Sequence, residues 1–263
     1  MAKRRKLATR GFGAEPGMPD RAGLAEWIAG HRGREADIIT WRLDQSLAPQ
    51  VSAEIQLPCA GGKFYADRIR QCVTGIHDNR AVGELHVETP SIIEDAAGIV
   101  VQKKSAWCAI PAPHMLGIED GHYYDEGEWS AAICDAYRTI MRTMRDTGVA
   151  GHVLISDRMD DAELVSLAQQ KTFFFAPASD RENLATLMEH QKQAAVRKDQ
   201  IQMVLDLMDE YSVRKIFIID PDPASVRLAL THFDPDQVVA GGYCVENAAD
   251  YWQNLVTSAE YFV

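Results

Sequence analysis

A chain of 263 residues, 46% apolar and 25% charged, can bury a sizeable core, which excludes disorder over long stretches. Its formal net charge of −11 excludes a general nucleic-acid binder, whose footprint is a basic face, and would repel anionic membranes. No apolar run approaches the roughly 18 residues that span a bilayer, so the expected setting is the cytoplasm.

The N-terminus carries a basic run, Lys3-Arg4-Arg5-Lys6, with no apolar stretch behind it, which is not the pattern of a secretory signal. With Gly11, Gly13, Pro16 and Pro19 following, residues 1–20 predict an irregular leader outside the core, ahead of one α/β domain over 21–263. A first helix is expected over 21–31. Strand-length runs rich in β-branched or aromatic residues then appear at 37–43, 53–59, 82–88, 105–111, 151–156, 171–176, 214–220 and 237–241. Helical patterns lie between most of them. The clearest is 128–147, and 181–211 reads as a long helix or a bent pair. Shorter helices fit 64–76, 159–169, 224–232 and 246–261, while 91–103 reads as helix, strand or both.

Strands alternating with helices predict a (βα)8-type barrel, irregular at the N-terminal strands. About ten residues separate the first two runs, too few for a crossover helix. The alternative is an open, mostly parallel sheet. Five scattered cysteines without a CxxC pair read as reduced thiols.

Functional side chains crowd the expected carboxyl ends of the strands, where α/β folds place their sites. Alternation in 82–88 puts Glu84, His86 and Glu88 opposite Leu85 and Val87, and a polar face toward a lumen would need a ligand or a cation. Glu88 and His86 are therefore the expected proton-transfer pair, with Asp220 orienting the substrate. Arg42 is expected to bind a substrate carboxylate or phosphate through its planar fork, and Glu54, His114 and Asp157 to complete the binding set. A divalent metal on His86, Glu88 and Cys244 is a further expectation. The competing reading leaves the polar strands as wet edges, Glu88 in an ion pair, and Asp222 or Ser225 as a helix cap after Asp220. No GxGxxG, GxxxxGK[ST] or GxSxG motif is present, so nucleotide-cofactor, P-loop and serine-hydrolase readings are disfavoured.

Residues 108–157 run from Cys108-Ala109-Ile110-Pro111-Ala112-Pro113-His114 through Tyr123-Tyr124-Asp125 and Ala136-Tyr137-Arg138 to Gly151-His152-Val153-Leu154-Ile155-Ser156-Asp157. This stretch resembles the middle of the uroporphyrinogen-decarboxylase and cobalamin-independent methionine-synthase barrels. The resemblance implies a barrel with its pocket at the strand ends, and a lyase or methyltransferase type of activity. In that family the methyltransferases hold zinc through a His-x-Cys element in a later strand. The strand Thr172-Phe173-Phe174-Phe175 has neither residue, and Cys244 is the one cysteine placed for a last-strand ligand.

Two functions follow as expectations: a barrel enzyme acting on a small polar or anionic metabolite, or a non-catalytic barrel-derived binding or scaffold subunit. A small-molecule ligand is the expected partner, with no membrane or nucleic acid, and either reading is compatible with an oligomer. Convergence of Arg42, Glu54, His86, Glu88 and Asp220 on one pocket separates the two.

Overall fold

The computed structural model describes residues 4–31, 36–245 and 250–262. Lys3 of the basic run and residues 246–249 of the last expected helix lie outside the described residues. The expected leader is instead structured. β1 (Arg4–Lys6) pairs antiparallel with the last strand of the chain, and β2 (Ala8–Ala14) is buried from Thr9 onward.

The helix α1 (Arg21–Gly30) follows, with no buried residue, then α2 (Ile38–Ser52). The 37–43 run is thus helix, not strand. Asp37 Oδ1 accepts from the Ile39 and Thr40 N–H groups at 2.9 and 2.8 Å, a strong helix start, and Ile39, Leu43 and Leu47 bury one stripe at helical spacing. Of 53–59 only the end is strand, within β3 (Cys59–Gly61). The expected 64–76 helix shortens to α3 (Ala66–Cys72) and leads into a hairpin of β4 (Val73–His77) and β5 (Arg80–Val87). After it come α4 (Pro90–Gln102), β6 (Trp107–Pro111), α5 (Glu126–Thr147), β7 (His152–Ile155), α6 (Asp161–Leu167) and β8 (Thr172–Phe175). The 181–211 stretch splits into α7 (Arg181–His190), β9 (Gln193–Arg197) and α8 (Ile201–Leu207). The chain closes with β10 (Lys215–Ile219), α9 (Pro223–Ala229), β11 (Val238–Cys244), α10 (Tyr251–Ser258) and β12 (Glu260–Phe262).

Two four-stranded parallel sheets result, in the orders β2-β11-β10-β9 and β3-β6-β7-β8. They meet along one seam in the same direction. Arg10 bridges Leu57 in parallel, Gly11 N–H donates to Leu57 O at 2.9 Å and Leu57 N–H to Thr9 O at 3.2 Å. Gln50 stitches this seam from α2. Its Nε2 donates to Cys59 O at 2.6 Å and its Oε1 accepts from Cys59 N–H at 2.9 Å. A Cβ at Gly11 would collide with that Oε1, so glycine is required there. No ladder joins β8 to β9 among the described residues.

An inner core draws on all eight parallel strands: Phe12, Cys59, Ala109, Val153, Phe173, Ala195, Phe217 and Val239, with further members above them. Phe12 touches Phe173 and Phe217 with ring centroids 5.4 Å from each, so side chains of both sheets meet in one space. Two outer cores pack helices against the far faces, one on each sheet.

The β4–β5 hairpin lies outside these sheets and is antiparallel. The alternation in 82–88 is real, but its polar face looks at water. Leu85 and Val87 pack on the outer core, while Glu84, His86 and Glu88 are exposed. A hairpin covered on one side needs only one apolar face. The five cysteines are buried and form no disulfide. No helix among the described residues is long and apolar enough to cross a membrane.

His152, the first residue of β7, is fully buried, and neither ring nitrogen has a hydrogen-bond partner. Burial, aided by Arg145, lowers its pKa to about 3. The unfolded chain takes up a proton near pH 6.5 that the folded one refuses. Stability should therefore fall as pH drops from about 6.5 toward 3, by up to roughly 1.4 kcal/mol per pH unit. Urea titrations at pH 4 and 6 should show His152→Leu flattening this acid limb. An unchanged difference between the two pH values would assign the limb to other groups.

Candidate active site

The parallel strands end on one side, and the residues that follow them form two linked clusters. The first surrounds His114, in a short 3-10 turn (Pro113–Leu116) after β6. Glu163, in the first turn of α6 and 5% exposed, accepts from the His114 backbone N–H at 2.8 Å, and its two carboxylate oxygens lie 3.0 and 2.9 Å from the ring Nδ1. Asp157, after β7, stands 2.8 Å from Nε2, and Ser156 Oγ lies 3.4 Å from the same nitrogen. Asp160 sets the position of Glu163 by capping α6.

A ring with a carboxylate at each nitrogen is held as imidazolium. Burial alone would lower the His114 pKa, but the hydrogen bonds and charge of Glu163, then of Asp157, outweigh it and raise it above the ordinary 6.5. Asp157 shows the counterpart: burial would raise it slightly, and the bond to His114 holds it below the usual carboxylate range. The Asp157 side chain is 63% exposed, so it can turn away and leave the Nε2–H facing an incoming ligand.

The second cluster centres on Glu15, just beyond β2. Its Oε1 accepts from Lys63 N–H at 2.6 Å and from Tyr243 Oη at 2.7 Å, and Arg42 Nη2 stands 3.9 Å from Oε2. Arg42 also stacks on Phe64, 4.2 Å from its centroid, and donates to Pro16 O. Tyr251 accepts from the Tyr243 N–H at 2.8 Å and donates to Asp220 beyond β10. Burial, then the facing carboxylates Glu15 and Asp220, push both tyrosine hydroxyls far up, so each remains a hydrogen-bond donor. Because β3 and β6 are neighbours, the Lys63 and His114 clusters lie on adjacent strand ends.

The structure thus brings His114 and Asp157 together and places Arg42 and Asp220 at the same end of the sheets. It does not bring in three other expected residues. His86 and Glu88 are exposed on the hairpin, with His86 3.8 Å from Glu84, so the lumen role expected of them is corrected. Glu54 is exposed in the turn after α2, before β3, at the opposite end. Glu15, Glu163, Ser156, Tyr243 and Tyr251 were not singled out by sequence reasoning.

The expected metal set of His86, Glu88 and Cys244 is dispersed over the hairpin and the end of β11. Among the described residues no three His, Cys, Asp or Glu side chains stand where they could hold a metal. Zinc held through a His-x-Cys element does not fit this chain: β8 offers no His or Cys, and no cysteine, Cys244 included, stands with two further His, Cys, Asp or Glu side chains among the described residues.

Parallel strands joined by helices, with an ionisable cluster at their carboxyl ends, make this an α/β fold, the class in which ligand sites lie at that end. Among solved structures it is similar to a Listeria monocytogenes protein assigned as a vitamin-B12-independent methionine synthase. The TM-score is 0.66 at 13% identity, covering 97% of this chain and 98% of that one. It is also similar to a B12-independent methionine synthase from Shewanella sp. W3-18-1 in complex with selenomethionine, with a TM-score of 0.57 at 13% identity and 97% of each chain covered. The fold is that of these methionine-synthase-like proteins. No protein-family model and no curated protein matches the sequence.

Proposed function

We propose that the eight parallel strands close into a barrel and that the chain is an enzyme of lyase or methyltransferase type acting on a small polar or anionic metabolite at their carboxyl ends. The inner core shared by all eight strands supports closure. The observation that carries the catalytic reading is the His114 ring clamped between Glu163 and Asp157. Glu163 is a positioning residue that keeps the ring charged and oriented. His114 Nε2–H is the acid, uncovered when Asp157 swings out, and the ring regains its proton from solvent through the exposed Asp157. Arg42, only loosely paired with Glu15, offers its remaining N–H groups to a ligand carboxylate or phosphate. Asp220, fixed by Tyr251, orients a ligand hydroxyl or amine.

Native mass spectrometry of the protein exposed to a metabolite extract tests this. Wild type should retain a small anionic metabolite. Glu163→Gln, which keeps shape and removes the charge, should weaken retention and cut turnover of that metabolite by about 100-fold or more. The dispersal of His86, Glu88 and Glu54 favours the second reading, a non-catalytic subunit. Retention without turnover, insensitive to Glu163→Gln, would establish it.

A further inference from the structure

At the opposite end of the sheets stands a charge that nothing above uses. Arg10 of β2 is 4% exposed and shares the inner face with Phe12. Its guanidinium carbon lies 4.3 Å from the Trp107 ring centroid and 4.9 Å from those of Phe12, Phe173 and Phe217. The four rings come from β2, β6, β8 and β10. They solvate the cation on its faces, as aromatic boxes do for ammonium ions. They leave its edge unsatisfied: Nε and Nη2 have no hydrogen-bond partner. Among the described residues no carboxylate pairs with Arg10, and the thiol of its neighbour Cys59 is kept neutral by burial.

The surroundings favour an anion. Lys215 starts β10 and, by strand alternation, shares the inner face with Phe217 and Ile219. Gln193 likewise shares the inner face of β9 with Ala195, and Lys215 pairs with Gln193 in the ladder. Lys171 immediately precedes β8, and its carbonyl accepts from His152 N–H. Neither lysine makes an ion pair among the described residues. The acidic residues of the adjoining turns, Glu54, Asp209, Glu210, Asp234 and Asp236, are exposed. Nε and Nη2 are themselves covered, so a ligand would reach them where the half-buried Trp107 ring, stacked on the guanidinium, gives way.

We propose that the amino-terminal mouth of the strand assembly is a binding site for a small oxyanion, carboxylate or phosphate in class, seated on the free edge of Arg10 and flanked by Lys215. A planar guanidinium edge matches two oxygens of such a group, and a desolvated pair is stronger than one in water. The site lies at the far end from His114, so ligands at the two places bind without competing.

The test is thermal unfolding in sodium phosphate or sodium acetate against sodium chloride at matched ionic strength, with tryptophan fluorescence followed in parallel. Wild type should show a saturable rise in Tm of about 3 °C or more in one of the oxyanions, with a change in Trp107 emission. Arg10→Met should abolish both. Lys215→Gln, a change of similar size at the half-buried start of β10, should weaken the oxyanion about fivefold or more. Where Arg10→Met does not fold, Lys215→Gln decides the question. A wild type with no response beyond the chloride control, an equal response from Arg10→Met, or an unchanged affinity in Lys215→Gln overturns the proposal.

Discussion

Arg68→Ala should cost about 3–5 kcal/mol of stability, among the largest effects of any single polar substitution in this chain. The side chain is 8% exposed and ties three helices together. Its Nε donates to Asp95 Oδ2 at 2.7 Å, on α4, and its Nη1 stands 2.8 Å from Asp37 Oδ2, at the start of α2. Tyr65 Oη adds a third bond, donating to the same Asp95 oxygen at 2.9 Å. Burial drives the Asp95 pKa up against the pull of Arg68, so removing the guanidinium leaves a carboxyl with only Tyr65 to satisfy it. Urea unfolding should show the loss as a lower midpoint at unchanged slope. Arg138→Ala, which breaks an exposed pair with Asp135, should cost less than about 1 kcal/mol. Equal effects from the two would mean that the Arg68 network is as wet as a surface pair.

Removing β2 should prevent folding, and Phe12→Ala alone should cost about 3–5 kcal/mol. Phe12 is fully buried at the centre of the inner core, against Phe173, Phe175 and Phe217. Its strand pairs with β11 from Ala8 to Ala14 and carries the seam to β3. Deleting residues 1–15 exposes the edge of β11 and one side of all those rings. Circular dichroism should show no cooperative melt for the truncated chain. A truncated chain melting within a few degrees of the full one would mean that the segment is an inert leader after all.

That leader shows where the sequence was silent. The run Ala8-Thr9-Arg10-Gly11-Phe12-Gly13-Ala14 contains glycines that read as loop, and one charge. It is a strand because β11 and Leu57 supply its hydrogen bonds, and because Gly11 must admit Gln50. Strand β9 was hidden for a similar reason, since Gln193-Ala194-Ala195-Val196-Arg197 has helical composition. In the other direction, β-branched Ile38, Ile39 and Thr40 suggested a strand, but the Asp37 cap decided for helix. Strands β6, β7, β8, β10 and β11 were legible because buried parallel strands are apolar on both faces.

The site was legible only where functional residues follow those strands. His114, Asp157 and Asp220 stood out for that reason, and Arg42 was named as a ligand-binding residue although its segment was read as strand. Glu163 did not, because an acid in the first turn of a helix usually answers the helix dipole. Glu15 was hidden inside the supposed leader. The hairpin misled in the opposite sense: alternation correctly sorted the faces of 82–88 but carried no information on which face met water.

The proton on His114 is the central chemical claim, and an imidazole ¹⁵N NMR titration measures it directly. A pKa raised in the folded state contributes stability that is present below the unfolded value of 6.5 and lost as pH rises through the folded value. Both His114 nitrogens should therefore carry protons at pH 6.5, with the titration midpoint above it, and Glu163→Gln should lower that midpoint. A His114 resonance already of the neutral, singly protonated ring at pH 6.5 would contradict the clamp and, with it, the acid that the proposed chemistry needs.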